Sequence, residues 1–264
     1  MELIGYLASI LIGISLGLIG GGGSILTVPV LVYLFGVDTV LATAYSLFIV
    51  GTTSLVGSVS YFKKGLVNMR TAIVFGIPSI IAVFLTRAYI VPAIPTEITS
   101  IGSFTLTKSM LLMLVFAVLM IFASYSMIRK GKKQLQEQGP QHFNYPLILI
   151  EGTVVGILTG LVGAGGGFLI IPALVVLSKL PMKQAVGTSL VIIAAKSLIG
   201  FLGEDGGQAI DYVFLLIVTA FAILGIFMGM MLSKRIDGAK LKPAFGWFVL
   251  IMGIYIILKE AVLN

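Results

Sequence analysis

Two runs of small residues, Gly20, Gly21, Gly22, Gly23 and Ser24, and Gly163, Ala164, Gly165, Gly166 and Gly167, interrupt otherwise apolar stretches. Glycine lets a backbone turn and lets another surface approach it closely. A helix that starts after such a break presents unpaired amides with about half a unit of positive charge, which suits an anion. Ser24 is a natural N-cap for the first of these helices, with Gly167 in its place in the second. Pro29 and Pro172 lie shortly after, each lacking an amide donor. The plainer alternative is packing: Gly13 and Gly17, and Gly156 and Gly160, have the small-xxx-small spacing of helix contact faces. Four or five small residues in a row exceed what such a face needs.

Hydroxyls gather in the stretch after each break: Ser46, Thr53 and Ser54 in the first, Thr188, Ser189 and Ser197 in the second. Each alone has a structural use, bonding a carbonyl of its own helix or a neighbour. Lys196 stands among them. A lysine near a bilayer centre costs about 2.5–3.5 kcal/mol and usually faces a cavity, although the end of its segment at Leu202 is only about 9 Å of helix away, so snorkelling is the competing reading. Its counterpart in the first half is Thr53. Deep carboxylates are scarce, and Glu151 is the best candidate for coupling to a proton. No catalytic set emerges: GTSL at 187–190 has no base, since the single histidine, His142, lies elsewhere, and neither glycine run carries a P-loop lysine. The chain is expected to be no enzyme, with no metal or other cofactor.

The solvent these residues work in follows from composition. The chain is 58% hydrophobic and 10% charged, with a mean hydropathy of +1.14, whereas soluble domains run about 25% charged. The bilayer is the expected surrounding. The net charge of +7 belongs to short loops between apolar segments, so nucleic acid is not an expected partner. There are no cysteines, which removes disulfides and thiolate chemistry. Met1–Leu18 lacks a basic start and recurs inside the chain, so it is expected to remain in the mature protein.

Apolar segments fall at 3–19, 24–36, 38–60, 71–91, 106–128, 146–162, 168–179, 182–202, 211–233 and 243–259. Crossing the hydrocarbon takes about 20 helical residues, so 24–36 and 168–179 are too short. These two are related. Displacing the chain by 143 residues aligns GLIGGGGSILTVPVLV (17–32) with GLVGAGGGFLIIPALV (160–175), and from Gly13 to Gly57 there are 19 identities in 45 positions. The expected fold is an all-α integral membrane protein. Residues 1–128 form one repeat and 145–264 the other, each a glycine-tipped broken helix or hairpin followed by three transmembrane helices, about eight spanning helices in all.

Loop charge orients the halves. The loop at 61–70 carries Lys63, Lys64 and Arg70, while its counterpart at 203–212 carries Glu204, Asp205 and Asp211; 92–105 carries only Glu97, while 234–242 carries Lys234, Arg235, Lys240 and Lys242 against Asp237. Basic loops mark the cytoplasm, which predicts inverted-topology repeats. The basic linker 129–144 is then cytoplasmic and both termini face outward, in a multi-pass protein of the cell membrane (inner or plasma membrane).

The paired glycine runs, with ATAYSL (42–47) and AVGTSL (185–190) after them, resemble the sulfite exporter TauE/SafE family of membrane transporters. The resemblance implies transport of small sulfur-containing anions such as sulfite, sulfoacetate or related organosulfonates, often outward; alternating access is expected from one inverted repeat moving against the other. The expected partners are the anion, a coupling proton or ion, the lipid bilayer and, in an assembled form, further copies of the chain. The first copy departs from the motif at Tyr45, whose role stays open. A passive anion channel and a non-transporting scaffold are the rival readings.

Overall fold

A computed structural model describes residues 2–101, 104–128, 145–163, 165–176, 180–203, 210–233 and 238–262. The linker 129–144 and the loop charges Glu204, Asp205, Lys234, Arg235 and Asp237 lie outside the described residues.

The described residues are helical apart from one small hairpin and short connecting turns. Helix α1 (Glu2–Ile19) ends at a 3-10 turn, Gly20–Leu26, which leads into the short α2 (Thr27–Tyr33). Then come α3 (Thr39–Lys63) and α4 (Met69–Leu85), which passes through a π-helical turn, Thr86–Ile90, into α5 (Val91–Ala93). An antiparallel pair follows, β1 (Glu97–Ile101) and β2 (Phe104–Thr107), where the sequence suggested only a loop. The remaining helices are α6 (Lys108–Ile128), α7 (Tyr145–Val162), α8 (Gly167–Val176), α9 (Met182–Leu202), α10 (Tyr212–Leu232) and α11 (Gly238–Val262).

Five helical stretches among the described residues are long and apolar enough to cross a membrane: Thr39–Lys63, Met69–Ala93, Lys108–Tyr125, Met182–Leu202 and Tyr212–Leu232. Ile4–Ile19, Ser24–Tyr33 and Pro146–Val162 are shorter apolar helices. The surface agrees with that solvent. On α10, Leu215, Val218, Ala222 and Ile226 are buried, yet the opposite face exposes Leu216, Leu224, Phe227, Met228 and Met231. A helix apolar all round belongs in lipid. The chain is a multi-pass membrane protein.

Close helix contacts are made through glycine. A Cβ on Gly13 would collide with the Ala222 carbonyl, and one on Gly17 would lie 2.5 Å from the Ile226 carbonyl oxygen, so α1 lies against α10. In the same way Gly156 would meet the Ser79 carbonyl oxygen at 2.5 Å and Gly160 the Thr86 Cβ at 2.6 Å, so α7 lies against α4. The small-xxx-small residues therefore do what their spacing suggests. Gly156 is Gly13 displaced by 143 residues, and Ala222 is Ser79 displaced by the same amount. Helices α3 and α9 are likewise counterparts, and they pack antiparallel: Gly51 lies against Leu198, Gly57 against Leu190 and Gly200 against Leu47.

The capping bonds repeat the pattern. Asn68 caps α4 by accepting from Thr71 N at 3.0 Å, and its own amide donates to Thr188 Oγ1 at 2.9 Å. Asp211 caps α10 by accepting from Phe214 N at 3.0 Å, and its amide donates to the Tyr45 hydroxyl at 2.7 Å. Tyr45 thus takes the place that Thr188 holds in the other half. Each ties the start of one helix to the body of another.

Candidate functional site

Both glycine runs turn through the left-handed region that L side chains avoid. Gly20 has φ of 71° and Gly163 of 73°, ending α1 and α7 at matching places. They are also tightly seated: a Cβ on Gly20 would press on Val186, and one on Gly163 on the backbone of Thr43. Beyond them the two runs touch. A Cβ on Gly21 would overlap the Gly167 Cα, and the reverse also holds. Gly165 faces Val50 of α3, Ile193 of α9 and the Ser24 Cβ. Gly22 and Gly23 belong to the same 3-10 turn as Gly21 and Ser24. The breaks therefore converge on the α3–α9 crossing.

Ser24 does not cap the following helix. Its hydroxyl donates to the Gly21 carbonyl at 2.8 Å, and α2 begins only at Thr27 after Leu26, with no side-chain cap. With seven residues, α2 has a weak end dipole, so side chains carry more of the site than the sequence suggested.

Lys196 lies in the body of α9 with 0% exposure, so it does not snorkel. Its Nζ donates to Thr159 Oγ1 at 3.0 Å, and a Cβ on Gly166 would lie 2.7 Å from that nitrogen. Thr159 in turn donates to the Val155 carbonyl at 2.7 Å. An ammonium group has three donors, and among the described residues one of them is engaged. Thr159 was missed from the sequence, although a hydroxyl four residues before Gly163 could have been flagged by its nearness to the break.

The hydroxyls separate into two sets. Ser9, Ser15, Ser58, Thr86, Ser124 and Thr219 each donate to a carbonyl one turn back on their own helix. Ser189 does so too, to Val186, and Thr188 accepts from Asn68. Ser46, Thr53, Ser54 and Ser197 are buried with no hydrogen-bond partner for the hydroxyl among the described residues, as are Thr27 on α2 and Thr71 and Ser79 on α4. A buried unmet hydroxyl costs about 1–3 kcal/mol. Ser46, Thr53, Ser54 and Ser197 lie on the two helices that cross, and Ser54 and Ser197 are counterparts, as are Thr53 and Lys196. Glu151 stays apart: it sits on α7 about 12 Å of helix before Thr159, with Oε2 buried and unbonded. Its neighbour Gly152 packs on Phe75 and Pro78 of α4. Arg87, fully buried in the π-helical turn beside Gly203, is a second interior cation that sequence reading passed over.

A buried lysine and unmet hydroxyls, where two broken helices touch inside an apolar helical body, define a multi-pass membrane protein with a polar centre. Transporters are built this way. Residues 5–256 match the sulfite exporter TauE/SafE family, and the chain belongs to that family. A probable membrane transporter protein of Xylella fastidiosa is 31% identical over 257 residues, covering 95% of this chain and 92% of the relative. The probable membrane transporter protein YdhB of Bacillus subtilis is 27% identical over 238 residues, covering 90% and 93%. The probable membrane transporter protein MJ0441 of Methanocaldococcus jannaschii is 34% identical over 116 residues, covering 42% and 43%. No solved structure matches the chain.

Proposed function

We propose that this chain transports small sulfur-containing oxyanions, such as sulfite, sulfoacetate or related organosulfonates, outward across the cell membrane by alternating access. One observation carries the reading: Lys196 and the unmet hydroxyls of Ser46, Thr53, Ser54 and Ser197 lie on the α3–α9 crossing where both glycine runs converge. Donors without partners on the same two helices as a buried cation suit an oxyanion, which accepts several hydrogen bonds at once. Family membership favours the sulfur-containing class. Gly166, beside the Lys196 ammonium, would let the anion approach backbone. Gly20, Gly21, Gly163, Gly165 and Gly167, packed against protein, would hold the two breaks together, with Gly22, Gly23 and Ser24 completing the first run. Thr188 and Ser189 support the site from the side, and Glu151 is the candidate coupling carboxylate.

The transport cycle requires two halves that move against each other. Repeats of 1–128 and 145–264 in inverted orientation, about eight spanning helices in all, supply them. Antiparallel packing of the counterparts α3 and α9 favours that arrangement, because an inverted repeat makes its counterpart helices run oppositely. A cytoplasmic linker at 129–144 and outward termini complete the topology. The absence of native cysteine makes it directly testable: in intact cells an impermeant maleimide should label Asp205→Cys and spare Lys64→Cys. Labelling with the opposite preference would reverse the orientation.

The transport reading is tested in proteoliposomes loaded with sulfite. The wild-type protein should move it against a concentration gradient when a coupling gradient is imposed. Removing two neutral hydrogen bonds of about 0.5–1.5 kcal/mol each, with Ser54→Ala and Ser197→Ala together, should lower the rate roughly tenfold. Unchanged flux in the double variant would remove the crossing as the site. Flux that only equilibrates would make the protein a channel.

A further inference from the structure

A concave site lies at the start of α3 and α10, and its chemistry is the opposite of that at the α3–α9 crossing. A cavity of about 530 Å³ opens there, lined by Tyr6, Phe35, Tyr45 and Phe214 together with Asp38 and Asp211. The rings form a continuous set: Phe35 meets Tyr6 edge-on at 5.4 Å and Phe214 at 4.9 Å, and Phe214 lies 5.9 Å from Tyr45. Among the described residues that line it there is no lysine, arginine or histidine, while the Lys259 ammonium lies 4.1 Å over the ring of Tyr33 at the cavity's edge. Each carboxylate uses Oδ1 as a helix cap, Asp38 for Val40 and Leu41, Asp211 for Phe214. A second oxygen remains on each.

The architecture does not require these residue types. Displaced by 143 residues, the positions of Tyr6, Asp38 and Tyr45 are held by Leu149, Pro181 and Thr188, and those that become Asp211 and Phe214 are Asn68 and Thr71. Thr188 and Asn68 make the same tie and the same cap with neutral, non-aromatic side chains. Nor is this the usual interfacial aromatic fringe, whose members Tyr89, Tyr125 and Tyr212 stand 60–67% exposed, against 2% for Tyr45. Aromatic faces with carboxylates are the chemistry of ammonium recognition. The cavity is much larger than a bare ion needs and in the range of small-ligand pockets, and the described residues offer no cluster of three or more metal-ligating side chains.

We propose that this cavity binds an alkylammonium cation, its charge against Asp38 and Asp211 and its alkyl groups on the rings. The ligand is either a free organic amine or the headgroup of an aminophospholipid. The site stands independently of the anion reading. Its test is calorimetric titration of tetramethylammonium chloride into the purified protein in nanodiscs of phosphatidylglycerol, against sodium chloride at equal ionic strength. Saturable binding specific to the ammonium salt is expected. The double variant Asp38→Asn, Asp211→Asn keeps both caps, because asparagine caps as well as aspartate, and should bind about tenfold more weakly or worse. Phe214→Leu should bind about fivefold more weakly. Adding phosphatidylethanolamine to the disc weakens the titration if the headgroup is the occupant and leaves it unchanged if free amines are. Identical heats with both salts, or unchanged affinity in the double variant, would overturn the proposal. Sulfite flux in that variant should match the wild type, which keeps the two sites separable.

Discussion

Lys196→Met should cut sulfite flux at least about tenfold while leaving the protein as stable as the wild type or more so. The two halves of that expectation have separate causes. A hydrogen bond to a charged group contributes about 1.5–3 kcal/mol, a factor of roughly 10 to 150, and Lys196 is the one buried cation on α3 or α9 among the described residues. Placing lysine at membrane depth costs about 2.5–3.5 kcal/mol, and methionine fills a similar volume without that cost. Thr159 is not stranded by the change, since its hydroxyl still donates to the Val155 carbonyl. A purely structural lysine would behave the other way. Thermal unfolding in detergent and flux in liposomes, measured on the same preparation, decide between them: a destabilised variant with normal flux would end the site assignment.

Gly163→Ala should be among the most damaging single-methyl additions in the chain, and Gly36→Ala shows why. Both glycines have positive φ, 73° and 69°, so both substitutions incur about 1–2 kcal/mol of backbone strain. Gly36 has nothing within 4 Å of an added Cβ, whereas Gly163 would collide with the Thr43 carbonyl oxygen and lie 2.5 Å from its Cα. Backbone cannot step aside as a side-chain tip can, and overpacking adds about 1–3 kcal/mol. At roughly 2–4 °C per kcal/mol for a chain of this size, Gly36→Ala should lower Tm by about 4 °C and Gly163→Ala by about 10 °C, or prevent folding. Equal shifts in the two variants would mean that the close seating of the second break on α3 is not a real constraint.

Much of this is legible in the amino-acid sequence itself. Composition alone placed the chain in lipid, because no soluble fold could bury so many apolar side chains. The segment 182–202 coincides with α9, and the paired glycine runs mark the places where α1 and α7 stop. Glycine is conspicuous there because only it turns so readily through positive φ. The self-alignment also paired residues that the fold then uses alike, as Asn68 with Asp211. The hairpin at 97–107 escaped notice because two strands of five and four residues carry little periodicity.

What the chain does with its polar groups was decided in three dimensions. Helices apolar on every side carry no signal of which face meets protein, so nothing in the sequence separates Ser189, bonded to its own helix, from Ser197, which is not. A hydroxyl takes its partner from whatever the crossing angle brings near. Lys196 could have reached the interface on its own helix; only the packing of α7 and the second break around it keeps it inside, bonded to Thr159. Tyr45 looked like a lapse in a motif until the fold set its hydroxyl under the first turn of α10. Hydropathy and repeat spacing thus determined the solvent, the segments and the breaks, since these depend on local side-chain chemistry. The meeting of Gly21 with Gly167, and the polar centre beside it, belong to the tertiary structure, because contacts between distant segments leave no periodic trace in either one.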